Sequence, residues 1–552
     1  MSTFGAKAFI SKILFPELVI LFLLMLVINN YIGNVDRRIT ADGIGYYDYL
    51  PSIFIHNDLL RKDKDVNDET ANARINKLPQ YVDYNEFKVN KYPIGTAILQ
   101  SPFFAGALLS TKLDGTSEDG YQEPFQKAMF YSAIFYLFLT IVFFRKLLCF
   151  YNVKWHIIFI FQVILVFATP LIHYVNVDCA FSHVYSLFAI TAFGYYLKKF
   201  QVKATPSNFA LLAFVFSYVI LIRQINIVIV AIIPFLLGSK ADLVKFIKLI
   251  FRTPSYIITG LFIFILLFSI QCLAWYFQTG SFILYSYQGE GFNFMSPMFI
   301  SILFSYKKGL LVYTPVFVLV ILSTFEFIRQ KHYYLFFSYL LFFVLLTYVL
   351  SSWHCWFYGC SFGLRAYIDF MSLLFIPLIL LLDRIRGFYL ISICITLLVL
   401  SAVNILQAYQ YKEYILHWND MSKAKYWKVF LKTNEQYKGL IWKTLMPVNQ
   451  YQVLLDTTIY APSQGMNKTT DLCSINCPQL SPNQTLKIIR LSFDYVFDID
   501  DDTKLGITVF SDNCDSCIIF QHAPYLIHFA PFESTFTQHG VYDFQITAYD
   551  GN

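Results

Sequence analysis

Charge is what this chain has least of. Asp, Glu, Lys and Arg make up 14% of its 552 residues, against 57% hydrophobic and 19% aromatic residues, and that scarcity excludes an ordinary soluble globular fold. The net charge is +6, but the basic residues are strewn along the chain rather than gathered on one soluble face, so nothing argues for nucleic-acid binding. Met1 to Lys12 is too polar for the hydrophobic region of a cleaved signal, and the apolar run behind it lacks a small-residue cleavage pattern, which predicts a retained first helix. No internal repeat of fixed period is present. The apolar runs hold almost no charge, whereas a transporter would need ionisable residues or broken helices along a midplane path.

Long apolar sequence is what the chain has in abundance. A bilayer core of about 30 Å takes about 20 apolar residues per helix, and eleven windows answer to that: 12–31, 127–147, 156–174, 179–198, 207–222, 225–238, 254–277, 309–328, 333–351, 366–383 and 387–407. Arg223-Gln224 divides the fifth from the sixth and reads as a tight outer turn. With the N-terminus inside, the inner loops collect most of the Lys and Arg, including Arg145, Lys146, Lys198, Lys199, Lys240, Lys245, Lys248 and Arg252. The short outer loops hold little beyond Arg223, Lys307, Lys308 and Arg365. This bias predicts an N-in, C-out protein of eleven spans.

The expected fold is therefore mainly α, a polytopic membrane domain over 1–410. Its first outer loop, 32–126, carries two amphipathic or apolar segments, 46–60 and 92–110, suited to lie along the interface on either side of the polar run Arg61 to Asn90. Residues 411–449 mix charge with Trp418, Trp427 and Trp442 as an interfacial connector. Residues 450–552 alternate polar and apolar residues in short runs, which predicts an outer β-sandwich. Cys473, Cys477, Cys514 and Cys517 fall there; disulfides are preferred over a zinc site in an oxidising compartment, with the pairing open. Asp498 to Asp502 reads as a solvated acidic turn rather than a calcium site. Asn467 and Asn483 head sequons that matter only in a eukaryotic host.

A few polar groups near the membrane look chemical. Asp42 lies in a turn flanked by Gly43, where the backbone can bring a carboxylate to a ligand, and Asp48 reads as the residue that caps or solvates the start of a helix. Lys91, ahead of Tyr92-Pro93, either snorkels to headgroups or serves a site. The loop from Trp353 through His354, Gly359 and Gly363 to Arg365 combines aromatic anchors, permissive glycines and an arginine at the head of an apolar helix. Arg365 calls for an anionic partner, either a lipid phosphate or Asp369 one turn onward. Asp178 and His183, at the entrance of the fourth span, are either a satisfied polar pair or part of a site; Glu290 reads as a loop glutamate.

In order along the chain, these elements resemble the GT-C glycosyltransferases, polytopic enzymes that include protein O-mannosyltransferases and the aminoarabinose transferases of lipid A. The features in common are one span, an outer loop opening on Asp42 with Tyr46 four residues on, interfacial helices, a Lys91/Pro93 element, Asp178 near a later helix entrance, and the Trp353 to Arg365 loop. The resemblance covers about residues 10 to 410. It departs from the family where Tyr92 separates Lys91 from Pro93, where Leu364 stands in the common Gly-Pro-Arg, and where Gly43 replaces the second member of an acidic pair.

The resemblance implies an inverting transferase acting on the outer face of a cell inner membrane, with the C-terminal domain in the periplasm. Asp42 would be the general base, Lys91, Arg365 and His354 would contact the phosphate of a polyprenyl-phosphate sugar, and Tyr46, Asp178, His183 and Glu290 would line the substrate pocket. The acceptor would be a glycan, lipid or protein. No cofactor is implied, and a divalent metal is admissible but not required. A lipid-linked saccharide flippase and a non-catalytic assembly protein anchoring the β domain are the competing readings.

Overall fold

A computed structural model of the chain describes residues 15–33, 35, 37–59, 78–85, 87–115, 119–419, 421–434, 437–439 and 441, together with the backbone of 488–498 and 537–547. The chain divides into two compact units, Met1–Ile441 and Trp442–Asn552. The first is a helical membrane body. Helix α1 (Phe15–Val27) continues through a π-turn to Ile32. The first loop folds as two short helices, α2 (Asp42–Tyr47) and α3 (Tyr49–Phe54), a hairpin of β1 (Tyr81–Tyr84) and β2 (Phe87–Asn90), and α4 (Gly95–Asp114). So 46–60 and 92–110 are largely helical as expected. The hairpin, which pairs Tyr81 with Asn90 and Tyr84 with Phe87, was hidden inside a run that composition alone marked as merely polar.

The body then continues through α5 (Glu123–Cys149), α6 (Trp155–Phe167), α7 (Leu171–Asn176), α8 (His183–Val202) and α9 (Pro206–Ile222). Proline sits in the first turn of α5 and α9, where its missing N–H costs nothing, and Thr205 caps α9 by accepting from the Asn208 N–H. Arg223 is extended, and a 3-10 segment, Gln224–Ile232, runs into α10 (Ile233–Leu237). Next come α11 (Lys240–Arg252), α12 (Pro254–Thr279), α13 (Phe299–Phe304), α14 (Leu310–Tyr313), α15 (Val316–Arg329) and α16 (Tyr333–Ser351). A 3-10 turn, Arg365–Phe370, leads into α17 (Met371–Leu374) and α18 (Ile376–Arg384), and α19 (Phe388–Lys412) and α20 (Lys423–Val429) follow.

The described parts of the eleven apolar windows fall largely on helical segments, but not all as single spans. Among the described residues six segments are long and apolar enough to cross a bilayer: Phe15–Ile32, Glu123–Cys149, Pro254–Thr279, Tyr333–Ser351, Arg365–Arg384 and Phe388–Lys412. The windows 156–174 and 309–328 are interrupted at Pro170 and Pro315, where proline withdraws a backbone donor and ends the preceding helix. The spans also differ in setting. Arg365–Arg384 is 83% buried over its apolar window, whereas Pro254–Thr279 and Phe388–Lys412 are 17% buried. The last two expose ridges such as Ile258, Leu261, Phe262 and Ile265, or Ile391, Ile395 and Leu398; in water such patches would be untenable, and in a bilayer they are the lipid face. Around the buried span pack α6, α8 and α15.

The connector expected over 411–449 holds α20, whose N-terminus is capped by Ser422 accepting from the Lys425 N–H. It is tied to α19 by Gln410 Nε2, which donates to the carbonyls of Val429 and Lys432 at 2.7 Å each. The second unit contains β3 (Ile488–Asp498) paired antiparallel with β4 (Thr537–Thr547), Ile488 opposite Thr547 and Asp498 opposite Thr537. The remaining strands expected of a sandwich, the four outer cysteines, both sequons and most of the acidic turn lie outside the described residues.

Candidate functional site

The segment leading to Asp42 is fixed before the carboxylate is reached. Gln126 of α5 accepts from the backbone N–H groups of Arg38 and Ile39 at 2.7 and 2.8 Å, and Arg38 Nε donates to the Asn176 carbonyl of α7 at 3.1 Å. Ala41 then takes a positive φ of 43°, and its carbonyl accepts from Gln80 Nε2 at 2.9 Å. The chain enters α2 with Asp42 in the first helical turn. The glycines beside it serve packing within the protein. A Cβ on Gly43 would lie 3.0 Å from Cβ of Ala180, and one on Gly45 would lie 2.1 Å from the ring of Tyr92.

Asp42 meets Arg365. Oδ2 of Asp42 and Nη2 of Arg365 stand 2.6 Å apart, the Asp42 side chain 32% exposed and that of Arg365 9%. Arg365 is delivered by Gly363, whose φ of +57° and whose missing Cβ let the loop turn against Pro170, and by Tyr174 of α7, which donates to the Phe362 carbonyl at 2.9 Å. The guanidinium also lies 5.1 Å from the centroid of the Phe181 ring, and its buried Nε has no hydrogen-bond partner. Burial alone would raise the pKa of Asp42. The neighbouring Arg365 cation, hydrogen bonds from Tyr92 and Arg365, and the more remote Lys91 outweigh it, so the carboxyl titrates below its ordinary value.

Arg365 does not pair with Asp369. That carboxylate is claimed by His183 Nδ1 at 2.7 Å, Arg223 Nη1 at 3.0 Å and Asn226 Nδ2 at 3.2 Å. Nor do Asp178 and His183 pair with each other. Asp178 accepts from Thr40 Oγ1 at 3.2 Å and stands 2.9 Å from His173 Nε2, so the adjacent sequence positions serve two separate networks. Tyr46 lies tilted against Tyr92, with ring centroids 4.6 Å apart. Burial raises its hydroxyl pKa, which keeps it a proton donor.

Lys91 and Glu290 form a second pair at 2.9 Å, with His354 Nε2 at 4.0 Å from the other carboxylate oxygen. Glu290 is thus a partner rather than a free loop glutamate. Its loop is zipped to the Trp353 region by the Asn293 N–H donating to the Ser352 carbonyl at 2.6 Å and the His354 N–H to the Gly291 carbonyl at 2.9 Å. Asp48 is not a helix cap. It is fully buried and accepts hydrogen bonds from Ser52 Oγ at 3.0 Å, Tyr81 at 2.7 Å and Tyr121.

The residue that sequence reasoning passed over is Lys308. Charge counting enters it only as one of a few outer-loop cations, yet it is 1% exposed. Its Nζ donates to the Gly359 carbonyl at 2.6 Å and to Ser361 Oγ, both in the loop that ends at Arg365. Burial, then the field of Arg365, push its pKa well below that of a solvated lysine. Among the described residues no carboxylate pairs with it. The signal that would have found it is position, since a lysine just before Gly309 at a span entrance has little room to reach water.

The geometry brings together an ionised, partly open carboxylate, a guanidinium with an unpartnered Nε, and a buried lysine that reaches across to the guanidinium's loop. Lys91, Glu290 and His354 form a neighbouring cluster. Among the described residues no three His, Cys, Asp or Glu side chains converge as a metal set. Comparison with protein-family models, curated proteins and solved structures returned no match.

Proposed function

We propose that the protein is an inverting glycosyltransferase of the GT-C type, moving a sugar from a polyprenyl phosphate to an acceptor glycan, lipid or protein at the outer face of a cell inner membrane. In this reading eleven segments traverse the bilayer, the N-terminus is cytoplasmic, and the second unit lies in the periplasm. The observation that carries the proposal is the Asp42–Arg365 pair: a carboxylate kept ionised at neutral pH, one third exposed, against an otherwise buried cation.

The chemistry follows from what each group can exchange. The acceptor hydroxyl gives its proton to Asp42 while its oxygen bonds to the anomeric carbon. The bond from that carbon to the phosphate oxygen breaks, and polyprenyl phosphate leaves with the electron pair. Charge grows on the leaving phosphate, and Arg365 answers it with a planar fork of donors. Such preset charge is worth most where water is scarce. As the phosphate draws Arg365, the guanidinium's hold on Asp42 weakens, and the carboxylate becomes a stronger base when the substrate is in place. Lys91, paired with Glu290 and with His354 beside it, supplies a further donor edge for the phosphate, and Tyr46, Asp178, His183 and Glu290 shape the pocket.

The test is transfer from a polyprenyl-phosphate sugar by purified Asp42→Asn protein. Loss of transfer with an unchanged unfolding midpoint supports the reading, and full activity in the folded variant removes Asp42 as base.

A further inference from the structure

Helix α11 is unlike any other helix in the body. None of its residues is buried. Its N-terminus is closed by Ser239 Oγ, which accepts from the Asp242 N–H at 3.0 Å, and after it only Thr253 intervenes before Pro254 opens the bilayer-length helix α12. That connection holds α11 at the end of a span, where a bilayer has its headgroups. Leu243, Phe246, Leu249 and Ile250 pack against the helical body.

The rest of its surface divides into two rows. Val244, Ile247 and Phe251 are 39%, 43% and 73% exposed, and their spacing of three and four residues draws them into one ridge. Lys245, Lys248 and Arg252 repeat that spacing one residue later, so a basic row runs parallel to the apolar ridge about 100° around the helix. All three are exposed, and no hydrogen bond or ion pair with another described residue occupies them. Asp242, the one acidic residue of the helix, is engaged with Ser239. Lys240 adds a fourth cation at the start.

We propose that α11 is a binding site for anionic phospholipid headgroups, its ridge of Val244, Ile247 and Phe251 set among the acyl chains and its row of Lys245, Lys248 and Arg252 on the phosphates. A soluble anion would have use for the basic row but none for the ridge beside it. A bilayer surface uses both at once, because an interfacial helix gains from apolar insertion and from charge attraction together. The inference does not depend on the transferase reading, since it concerns a helix that contributes no residue to the Asp42 site.

The experiment is a thermal-unfolding titration of the full-length protein in an uncharged detergent, with phosphatidylglycerol, phosphatidylcholine and inorganic phosphate as separate additions. Phosphatidylglycerol should raise the unfolding midpoint saturably, and the other two should not. Because each cation near an anionic surface contributes roughly fivefold to partitioning, the triple variant Lys245→Gln, Lys248→Gln, Arg252→Gln should need at least about tenfold more phosphatidylglycerol for half the effect. Lys248→Glu, a single surface change, should shift the titration in the same direction. Equal stabilisation by free phosphate, an unchanged titration in both variants, or no response of the native protein to phosphatidylglycerol would each overturn the proposal.

Discussion

Two of the carboxylate–guanidinium pairs among the described residues, nearly equal in length, sit in different settings. Glu17, in the first turn of α1, meets Arg145 of α5 at 2.5 Å, with side chains 0% and 5% exposed, and it also accepts from Gln162 Nε2 of α6 at 3.0 Å. Gln162 in turn donates to the Ile141 carbonyl at 2.8 Å. That pair staples three helices and faces nothing but protein. Asp42, beyond the other end of α1, meets Arg365 at 2.6 Å but remains 32% exposed. The difference teaches that ion-pair geometry alone does not mark a site. In the proposed reading, what would separate a fastener from a reactive group is whether a third party can reach it.

The comparison breaks most sharply at Asp42. Asp42→Asn should lower transfer by about 10²–10⁴-fold, the range of general-base losses, with little change in unfolding midpoint. If stability falls instead and transfer per folded molecule holds, the outer pair is a second staple. Arg145→Met should do the reverse: stripping one partner from a buried pair costs about 3–5 kcal/mol, read as a lowered midpoint in detergent, with turnover per folded molecule unchanged. Adding Glu17→Leu should restore most of that stability, because a well-packed apolar pair is often no worse than the ion pair it replaces.

Arg365→Gln sharpens the contrast through pH. A carboxylate whose folded pKa is depressed contributes stability present above its unfolded value of 3.8 and lost as pH falls through the lower folded value. Under the proposed function, the native protein should therefore show no acid limb from Asp42 near neutrality. With Arg365 gone, burial prevails and the carboxyl rises, so the acid limb of kcat/KM should move to higher pH. Donor KM should also rise by roughly tenfold or more, the worth of a charge-assisted hydrogen bond. The smallest expected effect is that of Lys308→Met. Removing a buried ammonium that has only neutral oxygens for partners should leave the unfolding midpoint close to native, while donor KM rises severalfold. An unchanged KM would make Lys308 a loop fastener.

Much of this organisation is legible in the sequence. The apolar windows mark helices because a bilayer imposes one length and one composition, and Asp42 and Arg365 stand out because charge is rare in such a chain. Their meeting is not legible: they come from opposite ends of the membrane unit, and only the packing of α7, with Tyr174 on Phe362 and Asn176 on Arg38, brings the two loops together. Asp48 misled for a related reason. An acid before a helix looks like a cap, and the hydroxyls of Tyr81 and Tyr121 that enclose it arrive from a hairpin and a loop with no sequence mark of their own. Asp369, by helical spacing the alternative to a phosphate as partner of Arg365, is instead reached by His183 from α8 and by Arg223 from the extended link after α9.

Gly45 carries a consequence for how this chain can change over generations. Any side chain there begins 2.1 Å from the ring of Tyr92, and Tyr92 is the residue whose hydroxyl supports Asp42. A descendant that acquires alanine at position 45 must move the tyrosine or lose it, and in either case it disturbs a carboxylate three residues away that the substitution never touches. Alanine at position 45 is therefore expected to be accommodated only together with a smaller or displaced side chain at position 92.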